Sequence, residues 1–345
     1  MSLDTYGTAD LMGVVQAKSK FQTLFLNLFY PRVYFSGSEE IKLDEVTEET
    51  NIAVTVSPVV GGKVLASQGY GTNTFKAAYV KPKHEVNVKQ LMHRRAGERL
   101  TGELTKAQRR NATIANNLLK EEKSILQYEE KQAVDGILYG GYTVSGEGYE
   151  TQHVSFNQRP ENRVVLGPGE RWADKDPDTY DPTHDIEEIC QASDGVISLA
   201  LMDSEAWILF SSFKKVQEKL DTRRGSTSSM ETALKDVGDV VSFKGWYGDV
   251  AIMVTRHFYI EGGVKKRYMP PFTILFGHSS AQCVRAYGAI QDIHAVREGM
   301  EQTDRYPRNW IEQGDPAREY TMLQSAPLMI PLDINDFVVL VVGTK

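Results

Sequence analysis

The sequence predicts an α+β fold. Three observations carry this: one long, uninterrupted helical stripe, two glycine-punctuated hairpins, and a second half in which helical and strand-like segments follow one another before a strand-rich end. No period of 20–50 residues recurs, which excludes a solenoid. The 345 residues suffice for two or three compact modules with a substantial core. Forty-six carboxylates against 39 Lys plus Arg give a net charge of -7, which disfavours a dedicated duplex-DNA binder.

The N-terminal stretch is polar and small until the aromatic run "FQTLFLNLFY". There Phe21, Leu24, Phe25, Leu28 and Phe29 fall at helical spacing and Pro31 ends the helix. That helix is either part of the core or an arm that docks on a partner. The run is too short for the ~20 residues a bilayer span needs, so no membrane partner is expected.

Residues 51–88 read as a hairpin. Val54, Val56 and Val60 alternate outward, and Phe75, Ala77 and Tyr79 alternate on the return. Gly61, Gly62, Gly69 and Gly71 interrupt it, and Lys63, Lys76, Lys81 and Lys83 stud it. A two-stranded ribbon is marginal in water unless something covers it. Either the rest of the chain covers it, or another copy does.

The clearest helix spans residues 104–139. Ile114, Leu118, Ile125, Ala133, Ile137 and Leu138 form a stripe near period 3.6, and Gly140–Gly141 stops it. At ~1.5 Å per residue the helix is on the order of 50 Å long, the length of a spine. A second hairpin follows at 142–156. A Pro/Gly/Asp-rich stretch, 158–182, then reads as a domain boundary. Beyond it come helices at "DIEEICQASD" and "SEAWILFSSFKKVQEKL" and buried strands at "GVISLALM" and "GDVAIMVTRHFYIEGG", with a turn at Gly262–Gly263. The fully apolar run 337–342 must pair inside a sheet.

Motifs for chemistry are scarce. The phosphate-loop, dinucleotide-fingerprint, nucleophile-elbow and His-Glu-x-x-His patterns are all missing. Asp174, Asp176, Asp178 and Asp185 occupy positions of a calcium-loop template, but Thr179 stands where its glycine belongs. The plainer reading is a solvated acidic linker; a metal-dependent hydrolase that also uses His184 is the remote alternative. Arg223 and Arg224, beside Gly225 and Ser226, suit either a phosphate loop or an inter-subunit salt bridge. Cys190 and Cys283 read as two buried thiols of a reducing compartment. No cofactor is implied, and no enzyme.

Five long phrases carry a resemblance: "AAYVKPKHEV", "TYDPTHDIE", "EKLDTRRGS", "KGWYGDVAI" and "GDPAREYTMLQSAPLM". Taken in order, they resemble the lambda-type major capsid proteins of tailed phages, from about residue 11 to 342. The resemblance implies the tailed-phage (Hong Kong-type) capsid fold. Its parts would be an N-terminal arm over 1–49, an E-loop hairpin over 50–95, a P-domain with spine helix over 96–180, an A-domain over 181–302, and P-domain return strands over 303–345. It further implies hexamers and pentamers of this chain, a separate scaffolding protein, a portal, a decoration protein, and non-specifically packaged double-stranded DNA. The virion capsid, assembled in the host cytoplasm, would be its location. A cellular nanocompartment of the same fold is the alternative.

In that setting Val56, Val60, Lys63, Tyr70, Phe75, Tyr79, Lys81, Lys83, His84, Arg223 and Arg224 are inter-subunit candidates. Gly61, Gly62, Gly69 and Gly71 are the hinge candidates.

Overall fold

The computed structural model describes residues 6–18, 23–47, 69–93, 104–220, 240–278 and 281–343. Helix α1 (Thr8–Lys18) has no counterpart in the sequence reading, because only Leu11 and Val15 mark its inner face. These lie one turn apart and pack on Val86, Ile114 and Leu118. Helix α2 (Phe25–Phe29) belongs to the chain's own core: Leu24, Phe25, Leu26, Phe29 and Tyr30 are fully inaccessible. Phe29 meets Phe337 edge-to-face at 5.3 Å.

Strand β1 (Arg32–Phe35) leads into a two-stranded ribbon, β2 (Glu40–Thr47) against β3 (Gly69–Lys76). Its antiparallel register runs from Glu40↔Lys76 to Thr47↔Gly69. A paired outgoing strand therefore begins at Glu40, earlier than the expected start at 51, and the division at 49/50 lies outside the described residues. The sequence reading missed it because Ile41 and Leu43 alternate with charges that read as solvated loop.

Strand β4 (Lys83–Val86) and helix α3 (Val88–Met92) precede the 34-residue α4 (Lys106–Tyr139). Thr105 and Gln108 form a reciprocal capping box at its start, and Gly140, at φ +64°, ends it. The second hairpin, β5 (Gly141–Gly146) with β6 (Tyr149–Ser155), follows as the glycines predict.

The rest builds a six-stranded sheet and two small ones. Its members in chain order are β7 (Arg163–Val165), α5 (Thr183–Ala192), β8 (Leu199–Asp203), α6 (Ser204–Ser212), α7 (Lys214–Lys219), β9 (Val241–Tyr247) and β10 (Val250–Thr255). Then come the ribbon β11 (Phe258–Glu261) and β12 (Val264–Arg267), β13 (Thr273–Gly277), β14 (Val284–Tyr287), α8 (Ile293–Glu298), β15 (Tyr306–Glu312), β16 (Arg318–Gln324), β17 (Pro327–Ile330) and β18 (Val338–Val341). The large sheet has the order β7-β18-β13-β8-β10-β9, and the small ones are β1-β14-β17 and β15-β16-β4.

Strands β8, β10 and β13 are buried along their whole length because both faces are covered. Leu201, Met253, Leu275 and Val339 point toward α2 and α4, while Met202, Ile252, Phe276 and Leu340 point toward α5, α6 and α7.

Three expectations need correction. The apolar run near the C-terminus does not join the other return strands on α4. As β18 it sits between β7 and β13, where a strand apolar on both sides finds cover on both. The helix expected over 204–220 breaks at Phe213, whose backbone turns extended while its ring fills the core beside Trp172. The stretch expected as a solvated linker carries β7 and the buried Trp172, so it is part of the large sheet's module. Cys283 is buried, and Cys190 is only half-buried.

Candidate assembly site

Helix α4 organises the surfaces a partner would meet, and four buried glutamates do most of that work. Glu121, Glu122, Glu129 and Glu130 are each at most 6 % exposed. Each would be costly there without a partner. Glu130 Oε1 accepts the backbone N–H groups of Leu24 and Phe25 at 2.8 Å, and Oε2 that of Leu26 at 3.1 Å. The carboxylate thus satisfies the amides at the start of α2 and fastens the N-terminal segment to the spine.

Arg305, at the head of β15, is the second fastening. Its guanidinium donates to both oxygens of Glu129 at 2.8 and 2.9 Å and to Glu122 Oε2 at 2.8 Å. Burial raises the Glu122 carboxyl above its ordinary range while Arg305 pulls it back. Nearer the helix start, Arg110 grips Glu319 of β16 bidentately at 2.6 and 2.8 Å.

Glu121 makes the third. Its Oε1 takes the Thr321 hydroxyl at 2.8 Å and meets His84 Nδ1 at 3.0 Å, while Oε2 has no partner among the described residues. Burial pushes Glu121 up to about 8 and lowers His84 below its ordinary value of 6.5. Both shifts disfavour the charged forms of this pair, because each group loses water. None of these glutamates stood out in the sequence, because Glu-Glu pairs on a helix ordinarily mark its solvated side. Only their inward partners identify them.

Several expected inter-subunit residues are used within the chain. Phe75 packs on Phe156 at 5.7 Å, and the Tyr79 hydroxyl donates to Gln324 at 2.6 Å. Lys83 Nζ lies 4.1 Å from the Tyr320 ring centre, and His84 serves Glu121 as above. Lys81 is exposed. Gly69, Tyr70 and Gly71 lie on β3, opposite Thr47, Val46 and Glu45. Val56, Val60, Gly61, Gly62, Lys63, Arg223 and Arg224 lie outside the described residues.

The four aspartates of the calcium template do not converge. Asp174 accepts the Gly169 N–H, Asp176 closes a turn on Asp178 and Thr179, and Asp185 takes the Trp172 indole N–H at 2.6 Å and the Tyr180 hydroxyl at 2.9 Å. Asp174, Asp176 and Asp185 are thus committed to a turn or to the core, while Asp178 contributes its backbone N–H. Among the described residues no group of three His, Cys, Asp or Glu side chains could hold a metal ion. None of their helices is long and apolar enough to cross a membrane.

Two strand surfaces among the described residues expose clustered apolar side chains. β1 shows Val33, Tyr34 and Phe35 at 40–52 % exposure, and the β11–β12 ribbon shows Phe258, Ile260 and Val264 at 43–60 %. Clustered apolar exposure of this kind marks interaction surfaces.

The chain thus joins a 34-residue helix to a six-stranded sheet and leaves apolar side chains of β1 and of the β11–β12 ribbon exposed. The family model for phage major capsid protein E matches residues 7–342, and the chain belongs to that family of phage and prophage head proteins. It is 47 % identical over 335 residues to the major capsid protein of Enterobacteria phage P21, covering 97 % of this chain and 98 % of that one. It is 45 % identical over 336 residues to that of Escherichia phage lambda, with the same coverage. A crystal structure from Escherichia coli CFT073, assigned as a prophage capsid protein, superposes with a TM-score of 0.84 at 33 % identity, over 99 % of this chain and 100 % of that one. The α+β fold is thus the tailed-phage capsid fold.

Proposed function

We propose that this capsid subunit self-assembles as hexamers and pentamers into an icosahedral head around the double-stranded DNA of a phage or prophage. Its role is structural, with no catalytic step. A scaffolding protein guides closure, a portal takes one vertex, and a decoration protein caps the finished shell, all within the host cytoplasm. The DNA is held without sequence preference, in keeping with the acidic balance of the chain.

One observation carries the reading: β2 and β3 form a sheet of two strands only. Its base is anchored by Ile41, which is 1 % exposed and packs in the cluster that Phe75 flanks. Above that base no third strand joins it among the described residues, and such a ribbon needs outside cover to persist in water. A neighbouring subunit is that cover. Exposed Lys81 remains a candidate for inter-subunit pairing, and Gly69 and Gly71 remain candidate hinges of the ribbon. Expressed alone and beside a scaffolding protein from its own genome, the chain should sediment as closed shells of uniform diameter, more of them with the scaffold. A monomer under both conditions would overturn the reading.

A further inference from the structure

The β11–β12 ribbon presents a second uncovered face. The pairs Phe258↔Arg267 and Ile260↔Lys265 put these four side chains on one side of it. On its other side Tyr259 meets Tyr268 in a tilted contact at 4.7 Å, and Lys131 of α4 lies 5.6 Å from the Tyr259 ring. Outward, Phe258 is 43 % and Ile260 is 60 % exposed. Lys266 and Arg267 are tied to Glu261 and to Asp203 and Glu205. Lys265 rests 3.4 Å from the Phe258 ring centre and forms no ion pair among the described residues. The outward face is therefore apolar with one uncommitted cation.

A groove of complementary character lies elsewhere on the same chain. It runs between the β7–β18 edge and α5, has a volume of about 280 Å³, and has Val164, Ile189 and Leu340 on its floor. Every ionisable residue lining it is a carboxylate. Asp185 is held by Trp172 and Tyr180, whereas Glu161 and Glu188 are exposed and form no ion pair among the described residues. Apolar floor and acidic rim thus match apolar face and free lysine.

The two features cannot meet within one molecule. Tyr259 seats the ribbon in the cluster on the α4 side of the six-stranded sheet, while Val164 and Leu340 belong to the cluster on the α5 side. We propose that the β11–β12 ribbon of one copy docks in the β7–α5 groove of the next. Phe258 and Ile260 would meet the floor, and Lys265 would lie against Glu161 and Glu188. The proposal rests on the shell-subunit reading above. A contact between two different patches is heterologous, and repeated with closure it makes a ring, the form a hexamer or pentamer requires. Each contact is small and gains strength by repetition around the ring.

The test uses the full chain with its scaffolding protein and compares wild type, Lys265→Glu, Glu161→Lys/Glu188→Lys, and the three changes combined. Each charge reversal alone should lower the yield of rings and shells by about tenfold or more, and the combination should restore most of it. Circular dichroism on the monomer fractions confirms that every variant folds. In parallel, Ile260→Cys with Ala192→Cys should give disulfide-linked multimers in assembled particles, and neither single cysteine change should. Normal assembly by the single reversals, no recovery in the combination, or no cross-link in well-formed shells would overturn the contact while leaving the shell reading intact. Failure of the wild type to assemble would overturn both.

Discussion

The six-stranded sheet and the two ribbons show two ways of handling a strand. In the sheet, β8, β10 and β13 are sealed on both faces by the chain's own helices, and their alternate residues feed two separate core clusters. In the ribbons, β2 pairs only with β3 and β11 only with β12 among the described residues. The first region has its cover within the chain. In the proposed shell the second is completed by another copy. A shell protein needs both: a body that keeps its shape as a monomer, and extensions whose burial is deferred until assembly.

Breaking the body should have the largest effect. Arg305→Ala leaves Glu122 and Glu129 buried without their counter-ion, and should cost about 3–5 kcal/mol in denaturant unfolding of the monomer. A loss below about 1 kcal/mol would mean that water or a neighbouring group already satisfies those carboxylates.

The next effect is one of pH. Glu121 has a folded-state value of about 8 against an ordinary 4.5. A raised value means the folded state holds the proton more tightly, so this group's contribution is full below about pH 4.5 and is lost as pH rises through 8. His84, shifted downward, acts in the opposite sense: its contribution is present above 6.5 and fades as pH falls. Glu121→Gln should therefore gain on the wild type between pH 5 and pH 9, by on the order of a few kcal/mol, in thermal unfolding at the two pH values. An equal difference at both would show that Glu121 does not titrate in this range.

Smaller again is Glu130→Gln, which keeps one acceptor but loses the other, leaving one or more α2 amides unpaired. About 1–3 kcal/mol is expected, with α2 amides losing hydrogen-exchange protection before those of β10. At the bottom of the scale, Ile260→Ser on the open ribbon should change monomer stability by less than about 0.5 kcal/mol. Its effect should appear only in particle yield, which is what separates a ribbon residue from a body residue.

Much of the body was legible in sequence. The α4 stripe and its glycine stop, the β5–β6 hairpin and the Gly262–Gly263 turn all announce themselves through local periodicity and turn chemistry. What escaped depends on partners distant in sequence. Glu130 resembles any solvated helix carboxylate until Leu24, Phe25 and Leu26 are seen beneath it. Strand β2 hides because its alternating charges are permitted only on a ribbon. The run at β18 was recognisably a buried strand, but nothing local says which sheet receives it. Lys83, His84 and Tyr79 looked free for a neighbour, and they were already engaged by Tyr320, Glu121 and Gln324. The inter-subunit surface is the least legible part, since its complement lies on another molecule.

Hydrogen exchange on the monomer and on the assembled shell tests the contrast most directly. Amides of Glu40–Thr47 and Gly69–Lys76 should gain strong protection on assembly, while those of β8, β10 and β13 should be equally protected in both states. Ribbon amides as protected in the monomer as in the shell would contradict it.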